Sequence, residues 1–392
     1  CNPLLWFVQH GMAANLLERD IEAAWLDGYV AANRLFADAV IEELRKFQRA
    51  PVMLHDYHLY LAPRLIRDAR PKAVLQQFVH IPWPEPQTWQ VLPDEMVRDL
   101  CDGLLGNDSV VFQTEASVEA FMATCRAYLP DAEVCESRGK VMYRGHKTSI
   151  WANPISVDVG ELRSLAASSA VQRARAELPT DESVKTIVRV DRLDPSKNVL
   201  RGFEAFDLML QCRPDLRGNV RFLSYLVPSR TGISEYDEYA RAVFDKVEEI
   251  NARHGTPDWI PINVYYEQNR PQAIAGLQRY DVLLVNSVAD GMNLVSKEGP
   301  AVNQRNGVLV LSTSAGSYGE LRHGALCVEP RDICGTADAL ASALDMPEQE
   351  RALRASYLLH AVEHHQLRDW LRHQTSDLSV IRYLRENAAI DL

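Results

Sequence analysis

The sequence predicts an α/β protein made of two doubly wound lobes with a ligand cleft between them. Short β-branched or apolar runs alternate with longer helical patterns, which is typical of βαβ units and parallel sheets. The alternation stops at residues 153–158, where a proline and the loss of periodicity indicate a linker. Polar segments follow several of the apolar runs, and doubly wound sheets bind their ligands at the carboxyl ends of their strands.

The predicted strands are short runs rich in apolar and β-branched residues, and the predicted helices show helical periodicity. In the first half, the strands lie at 51–54, 73–79 and 109–112, with helices at 21–47 and 114–129. In the second half, the strands lie at 186–190, 220–226, 262–265, 282–285, 308–311 and 325–328, with helices at 199–211, 236–254 and 271–279. A last helix at 362–383, with Trp370 and Leu371 on its apolar side, is predicted to cross back to the first lobe. The expected domains are therefore residues 1–157, residues 158–361 and a helical tail at 362–392.

Composition restricts the classes of partner. The chain has 392 residues, 47% of them hydrophobic, and a formal net charge of −11. An acidic chain repels phosphate backbones, so nucleic acid is not an expected partner, and an anionic ligand needs a local cluster of basic and N–H groups. No apolar run reaches the roughly 18 residues of a membrane span. The chain begins at Cys1 without an initiator methionine, and we expect a further N-terminal segment.

Cysteine usage argues against a disulfide framework and a structural zinc site. The seven cysteines are odd in number and form no C-x-x-C pair, which favours a reducing cytoplasm. His360, Glu363 and His364 spell the H-x-x-E-H pattern of some zinc peptidases. No third ligand accompanies them, so we expect a solvated helix face and no metal. A homodimer is the default expectation for the oligomeric state.

The clearest local motif is VDRLDPSKN at residues 190–198, between an apolar strand and an amphipathic helix. Ser196 is a plausible N-cap, and Arg192 and Lys197 flank a helix N-terminus, where free N–H groups and the helix dipole favour an anion. This arrangement suits a diphosphate leaving group. The alternative is a solvated basic pair at the start of a helix.

A second motif, ADGMNLVSKE at residues 289–298, also follows an apolar strand. Gly291 permits close approach of the backbone, and the N–H groups at 292–294 can cradle a phosphate. Asp290 and Glu298 can accept hydrogen bonds from hydroxyls. The alternative is a helix whose N-cap is Asp290.

Two histidine-containing motifs follow strands in the first half. HDYH occupies residues 55–58, and FVHIPWP occupies residues 78–84. Asp56 can accept a hydrogen bond from a hydroxyl, and Trp83 or Trp89 can stack on a ring. His80 is either a site residue or a structural histidine.

Together these motifs resemble the trehalose-6-phosphate synthase family. The similarity extends over almost the whole chain and includes LVPSR at 226–230 and GVLVLSTSAGSYGEL at 307–321. It implies a GT-B fold with two Rossmann-like domains, the first on the acceptor side and the second on the nucleotide-donor side. It also implies retaining, metal-independent transfer from a nucleotide-diphospho-sugar to a sugar 6-phosphate. No cofactor is implied, because the nucleotide donor is a substrate.

The resemblance also implies a role for each matching residue. The residues implied in catalysis are Arg192, Lys197, Asp290 and His80. The residues implied in donor binding are Arg192, Lys197, Met292, Asn293, Leu294 and Glu298, with Glu298 on the ribose. The candidates for acceptor binding are Asp56, Tyr57, Trp83, Arg230 and Arg241. No side chain is implied as a covalent nucleophile, because the diphosphate is stabilised as a leaving group.

The sequence departs from the family pattern on the acceptor side. His10-Gly11 stands where the family usually has His-Tyr, and Ala240 stands where it has an acceptor-phosphate arginine. These departures resemble the pseudo-glycosyltransferase branch, the validoxylamine A 7′-phosphate synthases of validamycin biosynthesis. That branch couples GDP-valienol to validamine 7-phosphate through a C–N bond, and this is the expected activity, with GDP as the nucleotide. The alternatives are trehalose-6-phosphate synthesis and a catalytically silent, sugar-phosphate-binding regulator.

Overall fold

The computed structural model describes residues 4–12, 21–179, 181 and 183–387. The chain divides into two compact units, Cys1–Ile155 with Arg368–Leu392, and Ser156–Leu367. The divisions fall after residues 155 and 367, not after the expected residues 157 and 361. The physical reason is that Val157 and Val362 are both buried in the core of the second unit.

The first unit contains a six-stranded sheet of order β1-β2-β3-β6-β5-β4. Its strands are β1 (Val52–His55), β2 (Leu75–Phe78), β3 (Ser109–Phe112), β4 (Glu133–Cys135), β5 (Lys140–Tyr143) and β6 (His146–Ala152). Its helices before the linker are α1 (Leu4–Gln9), α2 (Ile21–Ala23), α3 (Ala31–Lys46), α4 (Ala62–Ala69), α5 (Asp94–Leu104) and α6 (Glu115–Tyr128). Strands β1, β2, β3 and β6 are parallel, as expected for a sheet buried by helices.

Two features of the first unit were not predicted. Strands β4, β5 and β6 pair in antiparallel order, with Arg144 and Gly145 at positive φ in the tight turn between β5 and β6. The helix expected at 21–47 is divided by a π-helical segment, Ala24–Val30. In that segment the rings of Trp25 and Tyr29 stack with centroids 5.1 Å apart, and both are buried.

The second unit contains an all-parallel sheet of order β12-β11-β10-β7-β8-β9. Its strands are β7 (Lys185–Arg192), β8 (Val220–Val227), β9 (Ile262–Tyr266), β10 (Val282–Val285), β11 (Val308–Ser312) and β12 (Leu326–Val328). Its helices are α7 (Val159–Ala166), α8 (Ser169–Glu177), α9 (Val199–Cys212), α10 (Ser234–His254), α11 (Arg270–Leu277), α12 (Val295–Val302), α13 (Tyr318–Leu321), α14 (Ile333–Asp345) and α15 (Glu348–His364). Two buried apolar clusters cover the faces of this sheet. The predicted α/β class with two parallel-sheet domains is confirmed.

The C-terminal helix differs from the prediction. Helix α15 ends at His364, and α16 (Leu367–Asn387) follows it, so a single helix at 362–383 is wrong. Trp370 is buried and meets Phe78 edge-on at 5.1 Å, whereas Leu371 is half exposed and does not share the buried face. Among the helices of the described residues, none combines the length and apolar character that a membrane crossing requires.

A single buried carboxylate joins several elements of the first unit. Asp108 accepts hydrogen bonds from Arg67 Nη2 at 2.9 Å and from the N–H of Leu75 at 2.9 Å. Its other oxygen accepts from Arg385 Nη2 on α16. Burial lowers the pKa of the Arg67 guanidinium, while Asp108 opposes that shift. Asp108 therefore links α4, β2 and α16 to the start of β3.

We expect Asp108→Ala to lower the free energy of unfolding by about 3–5 kcal/mol, because it leaves buried guanidinium groups without a carboxylate. Chemical denaturation followed by circular dichroism measures this change. The control is Glu43→Ala, which removes the exposed Glu43–Lys46 pair and should change the value by less than about 0.5 kcal/mol. An effect of Asp108→Ala no larger than that of the control would contradict the linking role.

Candidate functional site

The turn after β7 carries the first candidate motif. Beyond Arg192 the chain forms a 3₁₀ turn, Pro195–Lys197, here called the Lys197 turn, whose N-cap is Asp194. The Asp194 carboxylate accepts from the N–H of Ser196 at 3.0 Å, so the predicted capping role of Ser196 is wrong. Helix α9 starts one residue after Asn198, which has φ +58°. Arg192 itself is exposed at the strand end.

Neighbouring strand ends hold this turn in place. The side-chain amide of Asn198 donates to the carbonyl oxygens of Asn286 at 2.9 Å and Pro330 at 2.6 Å. The N–H of Val288 donates to the carbonyl of Ser196 at 2.9 Å. The turn is therefore tied to the segments that follow β10 and β12.

The two strongest motifs meet through a side-chain ion pair. The ammonium of Lys197 contacts the carboxylate of Asp290, and both side chains are largely buried. Asp290 also accepts from Asn293 Nδ2 at 3.0 Å and from Ser287 Oγ at 3.3 Å. Helix α12 begins at Val295, so Asp290 is not its N-cap.

The 290–293 loop, defined as residues 290–293, is packed against the segment after β11. The N–H of Gly316 donates to the carbonyl of Asp290 at 3.0 Å, and that of Ser317 donates to Met292 at 2.9 Å. A Cβ atom at Gly316 would lie 1.8 Å from the carbonyl oxygen of Gly291. Glycine is thus required for this contact between two backbones.

The backbone N–H groups next to this loop are available for a ligand. Within the described residues, the N–H groups of Met292, Asn293 and Leu294 form no hydrogen bond to a protein acceptor. They lie beyond the carboxyl end of β10 and directly before α12. Such consecutive N–H groups form an anion-binding concavity.

Glu298 and its neighbour Lys297 differ in their surroundings. Burial raises the pKa of the Glu298 carboxyl, and Arg270 Nη2 lies 4.0 Å from it. Lys297 is buried, and its ammonium contacts Glu320 Oε1 at 2.7 Å. Lys297 is therefore held within the second unit, whereas Glu298 retains a partly exposed carboxyl one helical turn after Leu294.

The two candidate acceptor arginines also lie in the second unit. The guanidinium of Arg230 contacts Asp194 at 3.0 Å and the Tyr236 hydroxyl, and Arg230 has φ +45°. Arg230 therefore holds Asp194, the residue that caps the Lys197 turn. Arg241 lies exposed on α10, and Ala240 beside it packs against the apolar core.

The first unit has its own cluster at the ends of β1 and β2. Asp56 has φ +66° and ψ −178°, a conformation that costs a non-glycine residue about 1–3 kcal/mol. Its carboxylate accepts from the N–H of His80 at 3.2 Å, and the rings of His55 and His80 approach within 3.2 Å. Burial lowers the pKa of both histidines, so both are neutral near pH 7.

The aromatic residues predicted to contact a ligand lie in the core. Trp83 and Trp89 are buried, with ring centroids 4.7 Å apart, and Trp83 Nε1 donates to Thr124 Oγ1 at 3.0 Å. Tyr57 is also buried, 5.8 Å from the ring of Trp6. The predicted ring-stacking role of Trp83 or Trp89 is therefore wrong, and Tyr57 presents almost no surface to an acceptor.

The H-x-x-E-H residues lie on α15. Glu363 pairs with Arg163 at 2.7 Å, and the rings of His360 and His364 lie 3.8 Å apart. In the part of the chain that the structure describes, no group of three or more His, Cys, Asp or Glu side chains is arranged to hold a metal ion.

The sequence reasoning missed a buried ion pair beneath the Lys197 turn. Arg189 and Asp191 lie two residues apart on β7, and Arg189 Nη2 contacts Asp191 at 2.8 Å. Opposite charges at alternate positions of an otherwise apolar strand were the available signal, since residues i and i+2 share a face.

The chain matches a known protein family over almost its whole length. The model of glycosyltransferase family 20 matches residues 1–380. A bifunctional trehalose-6-phosphate synthase/phosphatase of Thermoproteus tenax is 35% identical over 90% of this chain, which spans 47% of that protein's length. A UDP-forming α,α-trehalose-phosphate synthase of Pichia angusta is 32% identical over 89% of this chain and 73% of its own length.

Solved structures agree in fold. A UDP-forming α,α-trehalose-phosphate synthase of Burkholderia vietnamiensis superposes with a TM-score of 0.87 at 30% identity, covering 96% of this chain and 84% of that one. The enzyme of Burkholderia xenovorans, determined in complex with glucose-6-phosphate, gives 0.86 at 32% identity, covering 96% and 82%. The predicted GT-B fold with two Rossmann-like domains is confirmed.

The close approach of Gly316 to Gly291 leaves no room for a side chain at residue 316. We expect Gly316→Ala to displace the 290–293 loop, to lower the free energy of unfolding by about 1–3 kcal/mol and to speed hydrogen exchange there. Exchange is measured by mass spectrometry of peptides covering 290–294. Gly319→Ala is the matched control, because its Cβ would enter open space. Equal exchange in the two variants would show that the contact does not hold the loop.

Proposed function

The chain belongs to glycosyltransferase family 20, and from that membership we propose that it transfers a ring from a nucleotide-diphosphate donor to a phosphorylated acceptor. The bond between the ring carbon and the diphosphate oxygen breaks, and its electron pair leaves with the diphosphate. The acceptor atom bonds to the same face of that carbon, and its proton passes to the departing phosphate. This scheme retains configuration and requires neither a metal nor a covalent side-chain nucleophile.

The observation that carries the proposal is the group of donors at the carboxyl edge of the second sheet. The ammonium of Lys197 and the N–H groups of residues 292–294 lie on segments that Asp290 connects. Together with Arg192 at the end of β7, they supply positive charge and N–H donors for a diphosphate in a chain of net charge −11. Fixed donors of this kind stabilise a leaving group because they need no reorganisation as charge develops.

The remaining polar groups suit hydroxyl recognition. Glu298 has a partly exposed carboxyl one helical turn after Leu294, and we assign it to the ribose of the nucleotide. Asp290 and His80 are assigned to hydroxyls of the transferred ring, and Asp56 to the acceptor. Because Nε2 of the neutral His80 imidazole lies 3.2 Å from Nδ1 of His55, Nδ1 of His80 is the ring nitrogen assigned to a hydroxyl.

We propose glucose 6-phosphate as acceptor and UDP- or GDP-glucose as donor. Relatives over most of this chain are trehalose-phosphate synthases named as UDP-forming, and one was determined with glucose-6-phosphate bound. Arg230 is engaged by Asp194 and Tyr236, so the exposed Arg241 is the stronger candidate for the acceptor phosphate.

A second candidate is the coupling of GDP-valienol to validamine 7-phosphate. The specific observation in its favour is the backbone conformation of Gly11, where φ is +65°. The tyrosine that the family usually has at this position would adopt that conformation only with strain. Ala240 is packed against the apolar core, where an arginine side chain would have to extend away from it. Both departures lie at positions where the family resemblance implies acceptor contacts.

The test is a mass-spectrometric product assay. Glucose 6-phosphate is offered with UDP-, GDP- and ADP-glucose, and validamine 7-phosphate is offered with GDP-valienol. We expect trehalose 6-phosphate, and we expect Lys197→Ala to lower kcat by about 100-fold or more, because it removes a charged donor from the leaving group. The control is Lys185→Ala at the opposite end of β7, which should retain the wild-type rate.

Each outcome of the assay has one meaning. Product from the cyclitol pair alone would replace the first candidate by the second. Product from neither set, with diphosphate bound tightly, would favour the silent regulator. A wild-type rate in Lys197→Ala would contradict the role assigned to its ammonium.

The raised pKa of Glu298 predicts a pH dependence of nucleotide binding. Protonation weakens the carboxyl as an acceptor from the ribose, and burial moves its pKa above the ordinary value of about 4.3. We expect the ratio of wild-type to Glu298→Gln affinity to fall as the pH is lowered from 7 towards 5. The group's contribution to folding stability changes in the opposite sense and rises as the pH falls, since the folded state binds this proton more tightly.

Calorimetric titration of both proteins with one nucleoside diphosphate measures this ratio. Because the diphosphate titrates equally in both experiments, the ratio isolates Glu298. A ratio that is independent of pH over this range would contradict the assignment to the ribose.

A further inference from the structure

Arg189 is a fully buried cation in the middle of β7. Its side chain is 0% exposed, and its neighbours Val188 and Val190 are apolar. A buried charge is costly unless it is paired and its donors are used. The contacts that the guanidinium makes must therefore offset this cost.

The guanidinium connects a carboxylate to the backbone of the Lys197 turn. Its Nε and Nη2 donate to Asp191 Oδ2 at 3.1 and 2.8 Å. Nη2 also donates to the carbonyl of Lys197 at 3.0 Å, and Nη1 to the carbonyl of Val199 at 3.4 Å. The two carbonyls lie on either side of Asn198, the residue with φ +58°. The Arg189 side chain thus binds the backbone on both sides of the left-handed residue Asn198.

Helix α9 leaves space for the guanidinium. A Cβ atom at Gly202 would lie 2.4 Å from Nη1 of Arg189. Glycine is a poor helix former, yet residue 202 lies inside α9. Residue 202 is therefore a glycine because the Arg189 guanidinium occupies the space of a side chain, although glycine lowers the helix propensity of α9.

The charges along this path alternate in sign. Arg189 pairs with Asp191, the positive charge of Lys197 acts on Asp191, and Lys197 pairs with Asp290. Each charged group thus has neighbours of opposite charge, in a region with little water to screen them. The path leads from the buried guanidinium to the edge of the sheet.

We propose that Arg189, together with Asp191, is a positioning residue that fixes the Lys197 turn from beneath and so places the ammonium where the donor diphosphate binds. This inference rests on the proposed function of Lys197. Arg189 has no exposed surface and does not touch the substrate, so it acts only through Lys197. The carbonyl contacts, and not charge alone, are what the role requires.

Three variants separate these contributions. Arg189→Met removes the guanidinium, and Arg189→Met with Asp191→Asn also removes the carboxylate that would be left unpaired, so that folding is retained. Arg189→Lys keeps the charge opposite Asp191, but one ammonium cannot reproduce the planar fork that reaches both carbonyls. The matched control is Arg221→Met, a buried arginine on the adjacent strand β8 near the opposite end of the sheet.

The readouts are hydrogen exchange of peptides covering 195–199, the Kd of GDP and UDP, and kcat. We expect the double variant to exchange faster in this segment and to bind diphosphate about tenfold or more weakly, since charge-assisted hydrogen bonds to the turn are lost. Arg189→Lys should restore stability but only part of the affinity. Arg221→Met should lose stability while its Kd stays at the wild-type value.

The possible results distinguish this inference from the proposed function. Wild-type affinity in the double variant, or an equal loss in Arg221→Met, would overturn the positioning role. Full recovery by Arg189→Lys would show that charge alone suffices and would overturn it too. If instead Lys197→Ala left diphosphate binding unchanged, the proposed function itself would fail, even with faster exchange at 195–199 in the Arg189 variants.

Discussion

The ion pair between Lys197 and Asp290 depends on the parallel pairing of β7 with β10. Because both strands run the same way, the segments that follow them emerge at one edge of the sheet, although they are 93 residues apart in the chain. Asn198 adds bonds to the segments after β10 and β12, and Gly316 adds a backbone contact from the segment after β11. The candidate site is therefore a product of sheet topology, and few of its groups are positioned by their own helix or strand alone.

Strands of mainly apolar composition could be predicted from the sequence, and short strands rich in polar residues could not. Strands β10 and β11 are buried along their whole length, and their sequences are almost entirely apolar. Strands β4 and β5 are short and partly exposed, so their composition resembles that of a loop. The boundary between α15 and α16 was missed for a related reason, since helical periodicity continues across a break of two residues.

The charged residues of the site were easier to predict than the aromatic ones. A charged residue that follows an apolar strand is expected to lie at the edge of the sheet, because the core excludes it. Lys197 and Asp290 both lie there. A tryptophan in the same position can turn either way, and the apolar area of Trp83 favours the core once Thr124 satisfies its N–H. Arg189 was missed because two of its three partners, the carbonyls of Lys197 and Val199, approach it only when the turn after β7 folds back.

The donor and acceptor sides of such a site are under different physical constraints. The groups assigned to the diphosphate are backbone N–H groups and a buried network of charges, so changing one of them disturbs turns, strand ends and a helix together. The positions that depart from the family pattern, Gly11 and Ala240, lie at a turn beyond α1 and on a surface helix. Neither position lies on a strand or in the 290–293 loop, so a substitution there acts on a turn or on α10. A family of this architecture can therefore keep one leaving-group site while its acceptor changes, and for this chain Gly11 and Ala240 are where such a change would be located.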